Sequence, residues 1–176
     1  NQPLPDKFSD AISALRGFAK SKTSSGIVFS AGFNRRLFAY CEHIPEFYDL
    51  SLSNTKHIIL KVSDYRSSLI QGKFLSKKGL WIDEYRIESG LNCGGHAFAT
   101  DGLLAGPILN EFKINRDSLD TMCRSLCNEY RKKNGLQQLS NNCKSNITYQ
   151  GGLGTSSEQS FITSYYNLSG TGWGSP

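Results

Sequence analysis

The chain has 176 residues, a formal net charge of +5 and ordinary shares of apolar and charged residues. This predicts a single globular domain over 1–176 and excludes a disordered or low-complexity chain. No apolar run approaches the ~20 residues of a membrane span, and the opening "NQPLPDKF" has neither the basic nor the apolar region of a signal peptide. The expectation is a cytoplasmic protein with no membrane partner.

Lys77–Lys78 and Arg131–Lys132–Lys133 fall where helix ends are expected, so they read as solvated helix termini rather than a nucleic-acid patch. The chain starts at Asn1 without an initiator Met and stops inside the glycine-rich "GTGWGSP", and is expected to be a fragment of a longer protein. Its five cysteines, Cys41, Cys93, Cys123, Cys127 and Cys143, are odd in number and scattered, which predicts reduced thiols. Cys123 and Cys127 offer only two metal ligands and continue the apolar face of Leu119, Met122, Leu126 and Tyr130, so they are expected in the core with no metal.

In chain order, Phe8, Ile12, Leu15 and Phe18 stand at helical spacing, "SKTSSG" breaks the pattern, and "IVFSA" reads as a strand. Residues 34–56, with Pro45 and mixed aromatics, carry no clear period. "HIILKVS" (57–63) is a β-branched run typical of a strand buried on both faces. Ser63 or Asp64 then caps a helix that runs to about Lys78 and closes at Gly79. "LWIDEYRIES" predicts the next strand, which empties into "GLNCGGHA". Pro107 opens a short helix, "PILNEF", and Asp117 or Ser118 caps a longer one to about Lys133, ended by Gly135. "NITYQ" is a strand and "GGLGT" a turn. Thr155 with Glu158, or Ser156 with Gln159, forms a capping box for a helix carrying Phe161, Ile162, Tyr165 and Tyr166, and "LSGTGWGSP" gives a last strand and its loop. Strands alternating with helices predict βαβ units and a parallel sheet, with doubly wound and barrel closures both open.

Two stretches carry candidate chemistry. "QGGLGTSSEQ" places glycines directly before a capped helix, where unpaired amides and the helix dipole suit a phosphate. It matches neither G-x-G-x-x-G nor the P-loop, but "GTGWGS" follows about one helix later, as the two phosphate loops of a β/α barrel do. In "IESGLNCGGHAFATDG" a strand ends in Gly94, Gly95 and His96. Imidazole titrates near neutral pH, so His96 is suited to take a proton from a carbon acid; a histidine that merely hydrogen-bonds its loop is the structural reading.

In order, "NCGGHA", "QGGLGT" and "WGS" make the chain resemble the FMN-dependent nitronate monooxygenases and related flavin enoyl reductases over roughly residues 57–176. The resemblance implies the carboxyl-terminal part of a (β/α)8 TIM barrel, an α/β fold of parallel strands truncated relative to the ~250 residues of a whole barrel. It implies FMN as cofactor and a small-molecule substrate. His96 would be the proton-transfer residue near the flavin N5, with Gly94 and Gly95 facing the ring. Gly151, Gly152, Gly174 and Ser175 would hold the phosphate. Ser89 stands where the family often contacts the flavin through Glu or Gln, and Asn92 and Cys93 stand where it usually has an acidic residue and an alanine. Cys93 is expected to line the pocket. Residues 117–135 read as a helical insertion.

Lys61, two residues from its strand's end, either points inward to neutralise the flavin N1–O2 edge, as in the similar glutamate synthase-like FMN barrels, or snorkels from a strand end. The expected function is an FMN-dependent oxidoreductase. Its competitor is a non-catalytic barrel that binds a phosphorylated metabolite.

Overall fold

The computed structural model describes residues 5, 8–51, 56–88 and 105–173. The elements in chain order are α1 (Asp10–Lys20), β1 (Ser25–Phe29), α2 (Arg35–Tyr40), β2 (Lys56–Val62), α3 (Tyr65–Ser76), β3 (Glu84–Glu88), α4 (Ala105–Lys133), β4 (Asn146–Gln150), α5 (Ser156–Tyr165) and β5 (Gly170–Gly172). Two single 3₁₀ turns, Cys41–His43 and Pro45–Phe47, follow α2. They give the aperiodic stretch before β2 its structure, and Asn34 caps α2 by accepting from the Leu37 amide at 3.1 Å.

The five strands form one parallel sheet in the order β1-β2-β3-β4-β5. A doubly wound sheet requires a reversal of strand order, and these five strands have none. Because parallel crossovers share one hand, a sequential order puts successive connections on the same face of the sheet. Burial follows that rule. Ile58, Leu60 and Val62 of β2, Tyr85 and Ile87 of β3, and Ile147 and Tyr149 of β4 are buried, whereas the alternate residues His57, Ile59, Lys61, Glu84, Arg86, Glu88, Asn146, Thr148 and Gln150 are not. The expectation that β2 is buried on both faces is therefore corrected. Its apolar run is covered on the helix side, and its other face carries Lys61 among polar neighbours.

Local signals in the sequence account for most boundaries. Asp64 is the cap of α3, its Oδ1 accepting from the Ser67 amide at 2.6 Å, and Thr155 with Glu158 forms the capping box of α5. The short helix and the insertion expected on either side of Asp117 are one continuous 29-residue helix, α4, with Pro107 in its first turn. Pro is tolerated there because its missing N–H has no intrahelical partner to lose. Asp117 instead pairs with Lys144 at 3.1 Å on the surface.

The core lies between the sheet and the helices, with Leu15, Phe38, Leu75, Phe112 and Leu119 packed over the inward residues of β2 to β4. Cys123 and Cys127 belong to it. Cys127 Sγ donates to the Leu80 carbonyl at 3.2 Å, Cys123 Sγ lies 3.5 Å from the Tyr85 hydroxyl, and burial pushes the Cys127 thiol up to about 12. Arg131 corrects the solvated helix end expected from its basic run: its side chain is fully buried and donates to the carbonyls of Gly79 at 2.8 Å, Gln137 at 2.9 Å and Tyr48 at 3.2 Å. It takes this role because the helix turns it inward, toward carbonyls of three separate loops. Among the described residues, no helix is long and apolar enough to cross a membrane.

Candidate functional site at the strand ends

Strand alternation and register bring polar residues together on the face that carries no helix among the described residues, the helix-free face below. In β3, "EYRIE" turns Tyr85 and Ile87 toward the helices and leaves Glu84, Arg86 and Glu88 on the other side, as a two-residue period requires. Lys61 pairs in register with Arg86, which pairs with Thr148; Glu88 pairs with Gln150, which pairs with Gly172. Side chains link these rows to each other and to the row below. Glu84, one step below Arg86 in β3, accepts through Oε1 from Arg86 Nε at 2.8 Å and from Thr148 Oγ1 at 2.5 Å. In the upper row, at the carboxyl ends of the strands, Glu88 Oε1 accepts from Gln150 Nε2 at 3.4 Å and, in the row beneath, from Lys61 Nζ at 2.8 Å.

The upper row runs directly into the glycine turn. Gly151 and Gly152 follow Gln150 with φ of 82° and 66°, left-handed conformations that glycine adopts without the steric cost of a Cβ. The Gly151 amide donates to the Gly172 carbonyl at 2.9 Å and so ties the turn to the end of β5. Among the described residues, the amides of Gly152 and Leu153 have no hydrogen-bond acceptor. The next two amides are taken: Gly154 and Thr155 both donate to Glu158 Oε2 at 2.9 Å. The Gly154 N–H, helped by Thr155, holds the Glu158 carboxyl below the usual range.

This geometry tests how a phosphate group fits. The glycine half of the turn offers open amides beside the positive end of α5 and accommodates an anion. The capped half already holds a carboxylate. The chain therefore suits a phosphate seated over Gly152 and Leu153, not one seated deep in the cap of α5.

Of the residues singled out in the sequence, Lys61, Gly151 and Gly152 lie along this one strand-end edge, linked through Glu88 and Gln150. Lys61 is engaged by Glu88 rather than extended from the strand end. Ser89, Cys93, Gly94, Gly95, His96, Gly174 and Ser175 lie outside the described residues. Sequence reasoning passed over Glu84, Arg86, Glu88, Thr148 and Gln150. Their signal was the polar half of the alternation in "EYRIE" and "NITYQ", which becomes informative only once that face is known to lack helices.

At the other side of the sheet, β1 pairs among the described residues with β2 alone, and an apolar groove of about 440 Å³ runs between it and α1, lined by Ala14, Phe18, Ile27 and Val28. No family model matches the chain, and no curated protein or solved structure matches it. Fold and site together define a class and go no further: an α/β protein with a one-sided parallel sheet whose helix-free face carries a polar, glycine-flanked edge at the strand ends.

Proposed function

We propose that this chain is the flavin-binding part of an FMN-dependent oxidoreductase whose sheet continues into a (β/α)8 barrel. The observation that carries the reading is the continuity of Lys61, Glu88, Gln150 and the Gly151–Gly152 turn along the carboxyl edge, where α/β sheets bind ligands. Barrel closure is supported by the sequential strand order, by helices confined to one face and by exposed apolar side chains near both ends of the strand order, Val28 in β1 and Phe161 and Tyr165 in α5 with Trp173 after β5. The polar face of Lys61, Arg86, Glu84 and Glu88 would then be the wall of the barrel interior.

In this reading the amides of Gly152 and Leu153, with Gly174 and Ser175 from the last loop, hold the phosphate. Lys61 would present a positive charge to the bound ring, and Ser89, Gly94 and Gly95 would line it. A ring nitrogen of His96 would take a proton from the substrate carbon. Bound FMN supplies the two-electron chemistry; the protein supplies binding, orientation and the proton acceptor.

The test uses the full-length protein. It should purify with, or take up, FMN, and Gly152→Asp should expel FMN by setting a carboxylate against the phosphate. His96→Ala should keep FMN and lower substrate-driven flavin reduction by about 10²–10⁴-fold. A protein that binds phosphorylated ligands through Gly152 but never FMN is the non-catalytic barrel.

A further inference from the structure

Glu88 stands between two donors on the helix-free face, Lys61 Nζ at 2.8 Å on one side and Gln150 Nε2 at 3.4 Å on the other, both reaching the same oxygen, Oε1. The pair is shielded, the Lys61 and Glu88 side chains being only 24% and 15% exposed. Shielding matters because the field of a charge is damped far less inside a protein than in water. A group bound at this edge therefore feels a lysine whose charge is offset by a fixed carboxylate. The other cation of the described inner rows, Arg86, is turned to Glu84 in the row below.

We infer that Glu88 is a positioning and charge-setting residue for Lys61, holding the ammonium at the strand-end edge and lowering the reduction potential of the cofactor there; this rests on the flavin reading above. The electrostatics fix the sign. When oxidised FMN takes up two electrons and one proton, its neutral ring becomes a monoanion with the charge spread over N1 and O2. A cation beside that edge favours the reduced form and raises the potential, and a carboxylate bound to the cation opposes it. Gln150, donating to the same carboxylate oxygen, weakens that opposition and keeps Glu88 from turning away.

The experiment compares full-length, FMN-loaded wild type with Glu88→Gln, Lys61→Met and Lys61→Arg. The midpoint potential is read by dye equilibration and the sulfite dissociation constant by loss of flavin absorbance. Sulfite adds through its lone pair to N5 of oxidised flavin, and the adduct carries its negative charge toward N1. Glu88→Gln should raise the potential and tighten sulfite by roughly tenfold, and Lys61→Met should lower the potential and weaken sulfite by about as much. Lys61→Arg keeps the charge and should stay near wild type, so that a shift in Lys61→Met alone is assigned to the charge, which a merely structural lysine does not predict. If Glu88→Gln fails to fold, the two Lys61 variants decide alone: a potential unmoved by Lys61→Met overturns the inference. A yellow protein in which Glu88→Gln leaves both readouts in place overturns this inference only. A full-length protein that never takes up FMN overturns it together with the flavin reading.

Discussion

The Nε of Arg131 donates to the carbonyl of Gly79 at 2.8 Å, joining the last turns of α4 to the loop between α3 and β3. Two further carbonyls, of Gln137 and Tyr48, accept from its Nη1. Among the described residues no carboxylate balances this fully buried guanidinium, and desolvation depresses its pKa. Arg131→Ala would strand three carbonyls and open a cavity, and should cost about 3–5 kcal/mol in urea unfolding. Arg131→Lys should recover only part of that loss, because an ammonium lacks the planar fork that reaches several loops at once. A Lys variant as stable as wild type would mean that one contact carries the whole effect.

Gly72 sits where α3 meets the sheet: a Cβ built there would lie 2.5 Å from the Tyr85 hydroxyl and 3.2 Å from Cys123 Sγ. Tyr85 is fully buried and has no room to retreat. Gly72→Ala should therefore destabilise by about 1–3 kcal/mol despite the better helix propensity of alanine. Removing the hydroxyl with Tyr85→Phe should make the alanine tolerable. A double-mutant cycle by thermal unfolding measures the coupling, and additive effects would refute the clash.

Asp83 ties three strand starts together. Its Oδ2 accepts from the Ile58 amide at 2.8 Å, its carbonyl accepts from the Asn146 amide at 2.8 Å, and its Oδ1 lies 3.3 Å from His57 Nδ1. Burial raises its pKa, against the lowering effect of the Ile58 amide and of His57. A folded-state pKa above the unfolded value means that the stability is full below the unfolded pKa and is lost as pH rises through the folded one. Asn keeps an acceptor for Ile58 without the partly desolvated charge. The stability of Asp83→Asn minus that of wild type should therefore increase from pH 3 upward and level off above the folded pKa.

Glu158 has the opposite sign. Its lowered pKa contributes stability that is present above the unfolded value of ~4.3 and is lost as pH falls through the folded one. Glu158→Gln preserves the acceptor of the capping box, so the advantage of wild type over it should be constant near neutral pH and shrink in acid. The same variant removes an anion from beside the glycine turn proposed to hold the phosphate. FMN binding by the full-length protein should tighten by roughly two- to fivefold at low salt and less at high salt.

Much of the local architecture is legible in the residues themselves. "NITYQ" is β4 to the residue, Asp64 and Thr155, each one of two candidates, cap α3 and α5, and Gly135 follows the last turn of α4, because capping and strand alternation depend on neighbours within a few positions. The glycine turn of Gly151 and Gly152 was equally visible, since few residues besides glycine adopt positive φ at low cost. What the sequence left open was decided by strand order. A β-branched run such as "HIILKV" suits a strand covered on one face or on two, and only the sequential parallel order put the helices on one side and exposed Lys61 to Glu88 and Gln150. Tertiary packing likewise turned Arg131 inward from a run of basic residues, where its partners are carbonyls as far away in sequence as Tyr48 and Gly79. Contacts between residues so far apart in the chain leave no local period to read. They exist only once the sheet has brought the strands and their connecting loops into register.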